Sequence, residues 1–155
     1  MRSAGDNAIV IAWMAKRTWE VEFHPDCETW ANDLSQPDKE ALLAAIRILR
    51  GEGPTLGRPL VDTIVGSRHP NMKELRPGST GRSEIRVLFA FDAERQAILL
   101  IGGDKSEDWK GWYERNIPIA DESFDEHQKR LRERHASTKR TKTKKSGQTK
   151  GKRKR

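Results

Sequence analysis

Cysteine and long apolar runs are what this 155-residue sequence has least of. Its single cysteine, Cys27, excludes an internal disulfide framework and a cysteine-rich zinc site. The longest apolar stretch, residues 8–15, is far shorter than the roughly 20 residues that a membrane-spanning helix needs. That stretch also lacks the cleavage pattern of a signal peptide. We therefore expect a cytoplasmic protein that does not associate with membranes.

The common catalytic and cofactor motifs are absent as well. The sequence contains no Walker-type phosphate loop, no HExxH zinc motif, no GxSxG nucleophile motif and no CxxC pair. The string GGDKS at residues 102–106 lacks the spacing of a phosphate-binding loop. We therefore expect no cofactor, no metal ion and no small-molecule ligand.

The formal charge of +7 is unevenly distributed. Residues 136–155 hold ten Lys and Arg and no acid, so residues 1–135 carry twenty basic against twenty-three acidic residues. Because the tail has too few apolar residues to offset its ordering entropy, we predict that it is disordered. It either binds RNA nonspecifically or only solubilises the chain. Residues 1–17 are an N-terminal arm or result from a misassigned start codon, which leaves 18–135 as the folded domain.

The apolar pattern predicts the order β-α-α, then a β-meander, then α. Strands are expected at residues 19–23, 60–65, 72–76, 83–91 and 96–101. Helices are expected from Pro25 to Leu34, from Ser35 to Gly51, from Ser106 to a break at Pro118, and over residues 119–135. The prediction is an α+β domain, with a small antiparallel sheet and two helices packed on one side.

Basic side chains collect on the predicted meander. Strand alternation puts Arg76 and Arg86 on the same side of neighbouring strands. Two adjacent guanidinium groups repel each other unless an anion joins them, and a phosphodiester would suit that position. The alternative is a structural network in which Glu74 and Glu84 pair with these arginines, since surface ion pairs are commoner than active sites.

The order and spacing of several strings resemble one known family. KELR at 73–76, a glycine-containing turn, IRVLFAFD at 85–92 and ILLIGGDK at 98–105 look like the HigB-like, phage-derived branch of the RelE/ParE toxin superfamily. GPTLGRPL at 53–60 fits that branch too, and the resemblance covers roughly residues 18–131. It implies a RelE-like microbial RNase fold. It further implies the toxin of a type II toxin–antitoxin pair, partnered by a helix-turn-helix antitoxin.

The activity that the resemblance implies is ribosome-dependent cleavage of mRNA without a metal, by attack of a ribose 2′-OH on the adjacent phosphate. Carried over residue by residue, Arg86 matches the arginine of the family's central strand and Arg76 the arginine that closes ELR. Lys105 matches a basic residue just after the last strand, and the strand residue Lys73 is the fourth predicted catalytic residue.

Three further residues are predicted to contact RNA. Arg68 and His69 lie in the loop before the meander, where a histidine could exchange protons near neutral pH. Tyr113 lies on the following helix with Trp109 and Trp112, and these aromatics could stack on bases. The alternative for the three aromatics is that they pack on the sheet as core residues.

Two other functions compete with the nuclease. A ParE-like protein of the same fold would poison DNA gyrase by binding alone. A nonenzymatic RNA-binding protein would act through the basic tail, residues 136–155. Arg76, Arg86 and Lys105 favour the nuclease, because binding alone does not require cations clustered on the meander.

Overall fold

A computed structural model describes residues 18–78 and 81–150, with side chains described as far as residue 147. The strands are β1 (Glu20–Phe23), β2 (Val61–Thr63), β3 (Lys73–Leu75), β4 (Ile85–Phe91) and β5 (Gln96–Asp104). The helices are α1 (Pro25–Asn32), α2 (Gln36–Glu52) and α3 (Trp109–Lys150). The predicted N-terminal arm lies outside the described residues. Within them, no helix is long and apolar enough to cross a membrane.

The five strands form one sheet in the order β1-β5-β4-β3-β2. Strands β2 to β5 pair antiparallel with their neighbours, which confirms the meander and the short strand before it. Strand β1 instead pairs parallel with β5, with Glu20 opposite Gln96. The prediction of an antiparallel sheet is therefore wrong, and the sheet is mixed. Side-chain alternation has the same period in parallel and antiparallel strands, so it cannot reveal the direction of a partner.

Helices α1 and α2 pack on one face of the sheet, as predicted. Helix α2 begins where predicted, because the Ser35 hydroxyl accepts a hydrogen bond from the Asp38 N–H at 3.4 Å. Its buried residues recur at helical spacing: Leu42, Ala45, Ile46 and Leu49. They share one core with Val87 and Phe89 of β4. The α+β class is thereby confirmed.

Helix α3 covers the opposite face. Its residues Trp112, Ile117, Ala120 and Phe124 share a second core with sheet residues. The sheet side of that core is Met72, Leu88, Ala90, Ile98 and Leu100. Strands β4 and β5 are therefore buried on both faces, which the continuous apolar run of β5 predicted.

Helix α3 is continuous where the sequence predicts a break at Pro118. A proline in a helix interior removes one hydrogen bond and costs about 3 kcal/mol. Trp112 and Phe124, on either side of Pro118, nevertheless pack in the same core and hold both halves on the sheet. Local helix-breaking chemistry is therefore overridden by tertiary contacts.

Two histidines fasten the second half of α3 to the turn between β4 and β5. The Nε2 atom of His127 lies 2.8 Å from Oδ2 of the buried Asp92, and Nε2 of His135 lies 2.5 Å from Oε1 of Glu94. Asp92 also accepts hydrogen bonds from the backbone N–H groups of Glu94 and Gln96 within the turn. These contacts hold α3 against the body as far as His135.

Beyond His135 the structure shows helix through residue 150, where the sequence predicts disorder. Residues 136–147 are exposed. Starting a helix is costly, whereas each added residue contributes its own backbone hydrogen bond. A helix already formed on the body can therefore extend outward without tertiary contacts.

Two adjacent glycines of β5 admit a tryptophan from each face. A Cβ added to Gly102 would lie 2.2 Å from the ring of Trp30 in α1. A Cβ added to Gly103 would lie 2.2 Å from Nε1 of Trp112 in α3. Both contacts are possible only because glycine has no side chain. The packing of the helices on each face of the sheet therefore depends on these two glycines.

We predict that Gly102→Ala lowers the free energy of unfolding by about 1–3 kcal/mol, because Trp30 must move to admit the methyl group. Gly57→Ala is the matched control, since nothing lies within 4 Å of the added Cβ there. Urea denaturation of both variants measures the difference. Equal stability of the two variants would contradict the close approach of Trp30.

Candidate active site

Three charged residues of β3, β4 and the position directly after β3 face α3. Leu75 and Val87 belong to the core under α1 and α2, so their neighbours Glu74, Arg76 and Arg86 lie on the other side. Arg86 is opposite Gly103 of β5, the residue on which Trp112 packs. Arg76 and Arg86 therefore share a face, as strand alternation predicts.

The buried carboxylate of Glu74 joins the strand to the helix. The Tyr113 hydroxyl donates to Oε2 of Glu74 at 2.5 Å, and Nε of Arg76 lies 3.0 Å from Oε1. The Arg76 Nε–H forms an ion pair without pointing at the oxygen, so it makes no hydrogen bond. Burial and the nearby Glu74 carboxylate raise the pKa of Tyr113 to about 12. The phenol is therefore a neutral donor at physiological pH.

Arg86 is a half-buried cation. Its Nη1 donates to the carbonyl of Ile85 at 2.8 Å, and no described residue accepts a hydrogen bond from its buried Nε. Of the carboxylates in the described part of the chain, none forms an ion pair with it. Since a desolvated guanidinium normally pairs with an anion, Arg86 can receive one from outside the protein.

The charge of Arg86 also acts on Asp104 at the end of β5. Burial alone would raise the pKa of Asp104, but hydrogen bonds from Ser106 and from the Glu84 N–H, together with the positive charge of Arg86, lower it. Asp104 is therefore ionised, and its carboxylate accepts a hydrogen bond from the backbone of the loop that follows β5. It orders that loop, from which Lys105 extends.

Lys105 completes the group of cations on this face. Its Nζ lies 5.8 Å from the centroid of the Tyr113 ring, and its backbone N–H donates to the carbonyl of Glu84. The residues Glu74, Arg76, Arg86, Lys105 and Tyr113 are hereafter named the cationic cluster. The sequence predicts all three of its cations. It offers Glu74 only as a structural ion-pair partner, although alternation with Leu75 puts Glu74 on the correct face.

The structure separates Lys73 from the cationic cluster. Lys73 is two residues from Leu75 and lies opposite Phe89, on the face that α1 and α2 cover. Its Nζ lies 6.0 Å from the centroid of the Phe91 ring. Lys73 therefore lies across the sheet from the other predicted catalytic residues, because strand residues one apart point in opposite directions. This placement corrects its inclusion with Arg76 and Arg86.

Arg68 and His69 are also placed apart from the cluster. Arg68 Nη2 lies 2.7 Å from Oδ2 of Asp125, and His69 Nε2 lies 2.8 Å from Oδ1 of the same carboxylate. Burial would raise the pKa of Asp125, but hydrogen bonds from Arg68 and His69 outweigh it and lower the pKa. The Arg68 backbone N–H donates to Asp121 at 3.1 Å.

These contacts attach the loop before β3 to α3. Eight residues of helix separate Asp121 from Tyr113, or about 12 Å. Arg68 and His69 therefore have structural partners at a distance from the cluster, and their contact with RNA stays a prediction. The sequence could not have revealed this, because the spacing of Asp121 and Asp125 shows a shared helix face but not which loop covers it.

The three aromatics at the start of α3 differ in how far they are exposed. Trp112 is buried in the sheet core, as the alternative reading of these residues proposed. Tyr113 is partly buried and bonded to Glu74, while Trp109 exposes 62% of its surface. Trp109 is therefore the most exposed of the three aromatics.

A family model described as "Phage derived protein Gp49-like (DUF891)" matches residues 29–125. The chain belongs to this Gp49-like family. The matched region contains the whole cationic cluster and ends before α3 leaves the body. Family membership confirms the resemblance to the phage-derived branch of toxins.

Two relatives from Mycobacterium tuberculosis (strain ATCC 25618 / H37Rv) carry the toxin names HigB2 and HigB3. This Gp49-like chain is 59% identical to the first and 54% identical to the second, each over 98 residues, or 63% of its length. The matches cover 49% of the first relative and 83% of the second. The chain thus spans about half the length of the first of these relatives.

Two solved structures are also similar at low sequence identity. A mutant of E. coli toxin RelE in the free state is 13% identical, with a TM-score of 0.47, and the match covers 63% of this chain and 92% of that one. The archaeal RelE–RelB complex from Pyrococcus horikoshii OT3 is 16% identical, with a TM-score of 0.44 and coverage of 58% and 98%.

Tyr113 is the only tyrosine of the chain, so its titration can be observed directly. We predict that tyrosinate absorbance after a rapid pH jump reports a pKa of about 12 in the folded protein, above the ordinary value of 10.0. Because the unfolded phenol ionises first, the stability of the fold falls between about pH 10 and pH 12. In Tyr113→Phe, this contribution of the phenol to the pH dependence of stability is absent. A titration near the ordinary value would contradict the Glu74 hydrogen bond.

Asp121 should contribute more stability than its exposed neighbour on the same face. Asp121→Ala leaves the Arg68 N–H and the Ser67 hydroxyl without their acceptor, and we expect a loss of about 1–3 kcal/mol. Asp125→Ala, whose side chain is 42% exposed, should cost less than about 1 kcal/mol. Thermal unfolding of both variants tests this order, and the reverse order would refute it.

Proposed function

We propose that this Gp49-like protein is the toxin of a type II toxin–antitoxin pair and cleaves mRNA on the ribosome. The observation that carries the proposal is the cationic cluster, in which Arg86 has no carboxylate partner among the described residues and lies on the same face as Arg76. The toxin names of the two mycobacterial relatives support the same class. We further propose a cytoplasmic protein whose partners are a helix-turn-helix antitoxin, mRNA and the ribosome.

The proposed reaction is a transesterification within the RNA. The ribose 2′ oxygen attacks the adjacent phosphorus, and the bond from phosphorus to the 5′ oxygen breaks. The products are a 2′,3′-cyclic phosphate and a new 5′-OH end. Negative charge builds on the non-bridging oxygens as the phosphorus becomes five-coordinate. Arg86 and Arg76 provide guanidinium donors at one face of the site, where fixed positive charge stabilises that transition state.

Two proton transfers accompany this step. We assign the first to Tyr113, which accepts the 2′-OH proton while passing its own to Glu74 along the existing hydrogen bond. This relay avoids a free tyrosinate, which the raised pKa of Tyr113 disfavours. We assign the second to the Lys105 ammonium, which donates a proton to the departing 5′ oxygen. The scheme requires no metal ion, because the cluster supplies the positive charge.

The test is cleavage of a defined mRNA on programmed ribosomes, with new 5′ ends mapped. Arg86→Ala should lower the cleavage rate at least about a hundredfold, as when one charge-stabilising donor is removed from an active site. Lys73→Ala is the matched control, since it removes a cation from the other face of the same sheet. We expect near wild-type cleavage from it.

Other results would redirect the assignment. Intact message at high concentrations of wild-type protein would refute the nuclease, and a gyrase supercoiling assay would then test the ParE-like alternative. Cleavage that persists in Arg86→Ala would remove the cluster from the mechanism. Loss of activity on deleting residues 136–155, with the cluster intact, would favour the RNA-binding tail.

A further inference from the structure

A groove of about 310 Å³ lies next to the cationic cluster. It runs between the segment after β2 and the first turns of α3. Its apolar walls are Val65, Trp109, Tyr113 and Ile117, and Lys110 and Glu114 add one charge of each sign. Tyr113 belongs to both groove and cluster, so the two are adjacent.

The apolar walls of this groove are unusually exposed. Val65 exposes 92% of its surface and Trp109 exposes 62%, the two highest values among the large exposed apolar residues of the described chain. Single exposed apolar residues are common, but these two line the same groove. An exposed tryptophan beside a second apolar residue is typical of a binding surface.

We propose that the groove binds one nucleobase of a single-stranded RNA whose phosphate lies at Arg76 and Arg86. This proposal rests on the proposed function and adds a recognition site to it. Trp109 and Tyr113 are four residues apart on α3 and therefore lie on one face of the helix. A strand with its phosphate at the cluster can therefore place a neighbouring base against the exposed indole.

Size and chemistry both suit a base. The groove volume lies at the lower end of the range for small-ligand sites, which suits a flat heterocycle better than a folded peptide segment. Stacking on an indole is insensitive to base identity, because every base has a π face. The base must come from an unpaired strand, since bases within a duplex already stack on their neighbours. The occupant is therefore a base of the cleaved strand.

The first experiment measures binding without cleavage. A fluorescently labelled oligoribonucleotide with a 2′-O-methyl group at the cleavage position is titrated with protein, and anisotropy gives the affinity. We expect Trp109→Ala to weaken binding roughly 5- to 150-fold. Trp109→Phe should keep most of the affinity but lose the quenching of tryptophan fluorescence. Leu43→Ala, which changes an exposed apolar residue of α2, is the matched control and should bind like wild type.

An abasic nucleotide next to the blocked position makes the test specific. If the base stacks on Trp109, removing the base weakens binding to wild type but hardly changes binding to Trp109→Ala. The proposal would be overturned if removal of the base weakened binding to wild type and to Trp109→Ala by the same factor. It would also be overturned by an unchanged affinity and cleavage rate in Trp109→Ala.

These results are separable from the proposed function. Cleavage that depends on Arg86 but not on Trp109 would support the nuclease and refute the binding of a base in the groove. If Trp109→Ala no longer binds the antitoxin but binds the oligonucleotide with unchanged affinity, the groove is a binding site for the antitoxin. That result overturns the inference. Wild-type protein that neither binds the oligonucleotide nor cleaves message overturns both proposals.

Discussion

The indole of Trp112 packs directly on the backbone of Gly103, and the geometry of the candidate site depends on this contact. Because Gly103 has no Cβ, α3 approaches β5 closely enough for the next residue, Tyr113, to reach Glu74 on β3. Arg86 lies opposite the same glycine on β4. The contact between one tryptophan and one glycine therefore determines where the phenol of the helix meets the cations of the strands.

The two faces of the sheet differ in the side chains that they contain. The face under α1 and α2 is dominated by apolar side chains, whereas the face under α3 also contains the carboxylate of Glu74 and Arg86, which has no ion pair among the described residues. Burying such groups is unfavourable unless they are paired. The apolar face offsets this cost. The cluster can therefore keep an unpaired cation, which a phosphate would neutralise, without the whole fold depending on that charge.

Local patterns in the sequence were sufficient for much of this structure. Alternation predicted the meander and the shared face of Arg76 and Arg86, and Ser35 marked the start of α2. Contacts between distant residues decided the rest. The parallel partner of β1, the passage of α3 through Pro118, and the attachment of Arg68 and His69 to Asp125 all depend on tertiary packing. The same holds for the different positions of Trp109 and Trp112, since helical spacing shows which residues share a face but not what covers them.

The pairing of β1 with β5 also sets the order in which the chain can fold during synthesis. Of the described strands, β1 is made first, yet it pairs with β5, the last of them, with Glu20 opposite Gln96. Such long-range pairing is slow to form, because the intervening chain must be ordered first. Lys105 and Tyr113 follow β5 and are made later still. A nascent chain therefore has neither all five strands paired nor a complete cationic cluster until most of the domain has left the ribosome that made it.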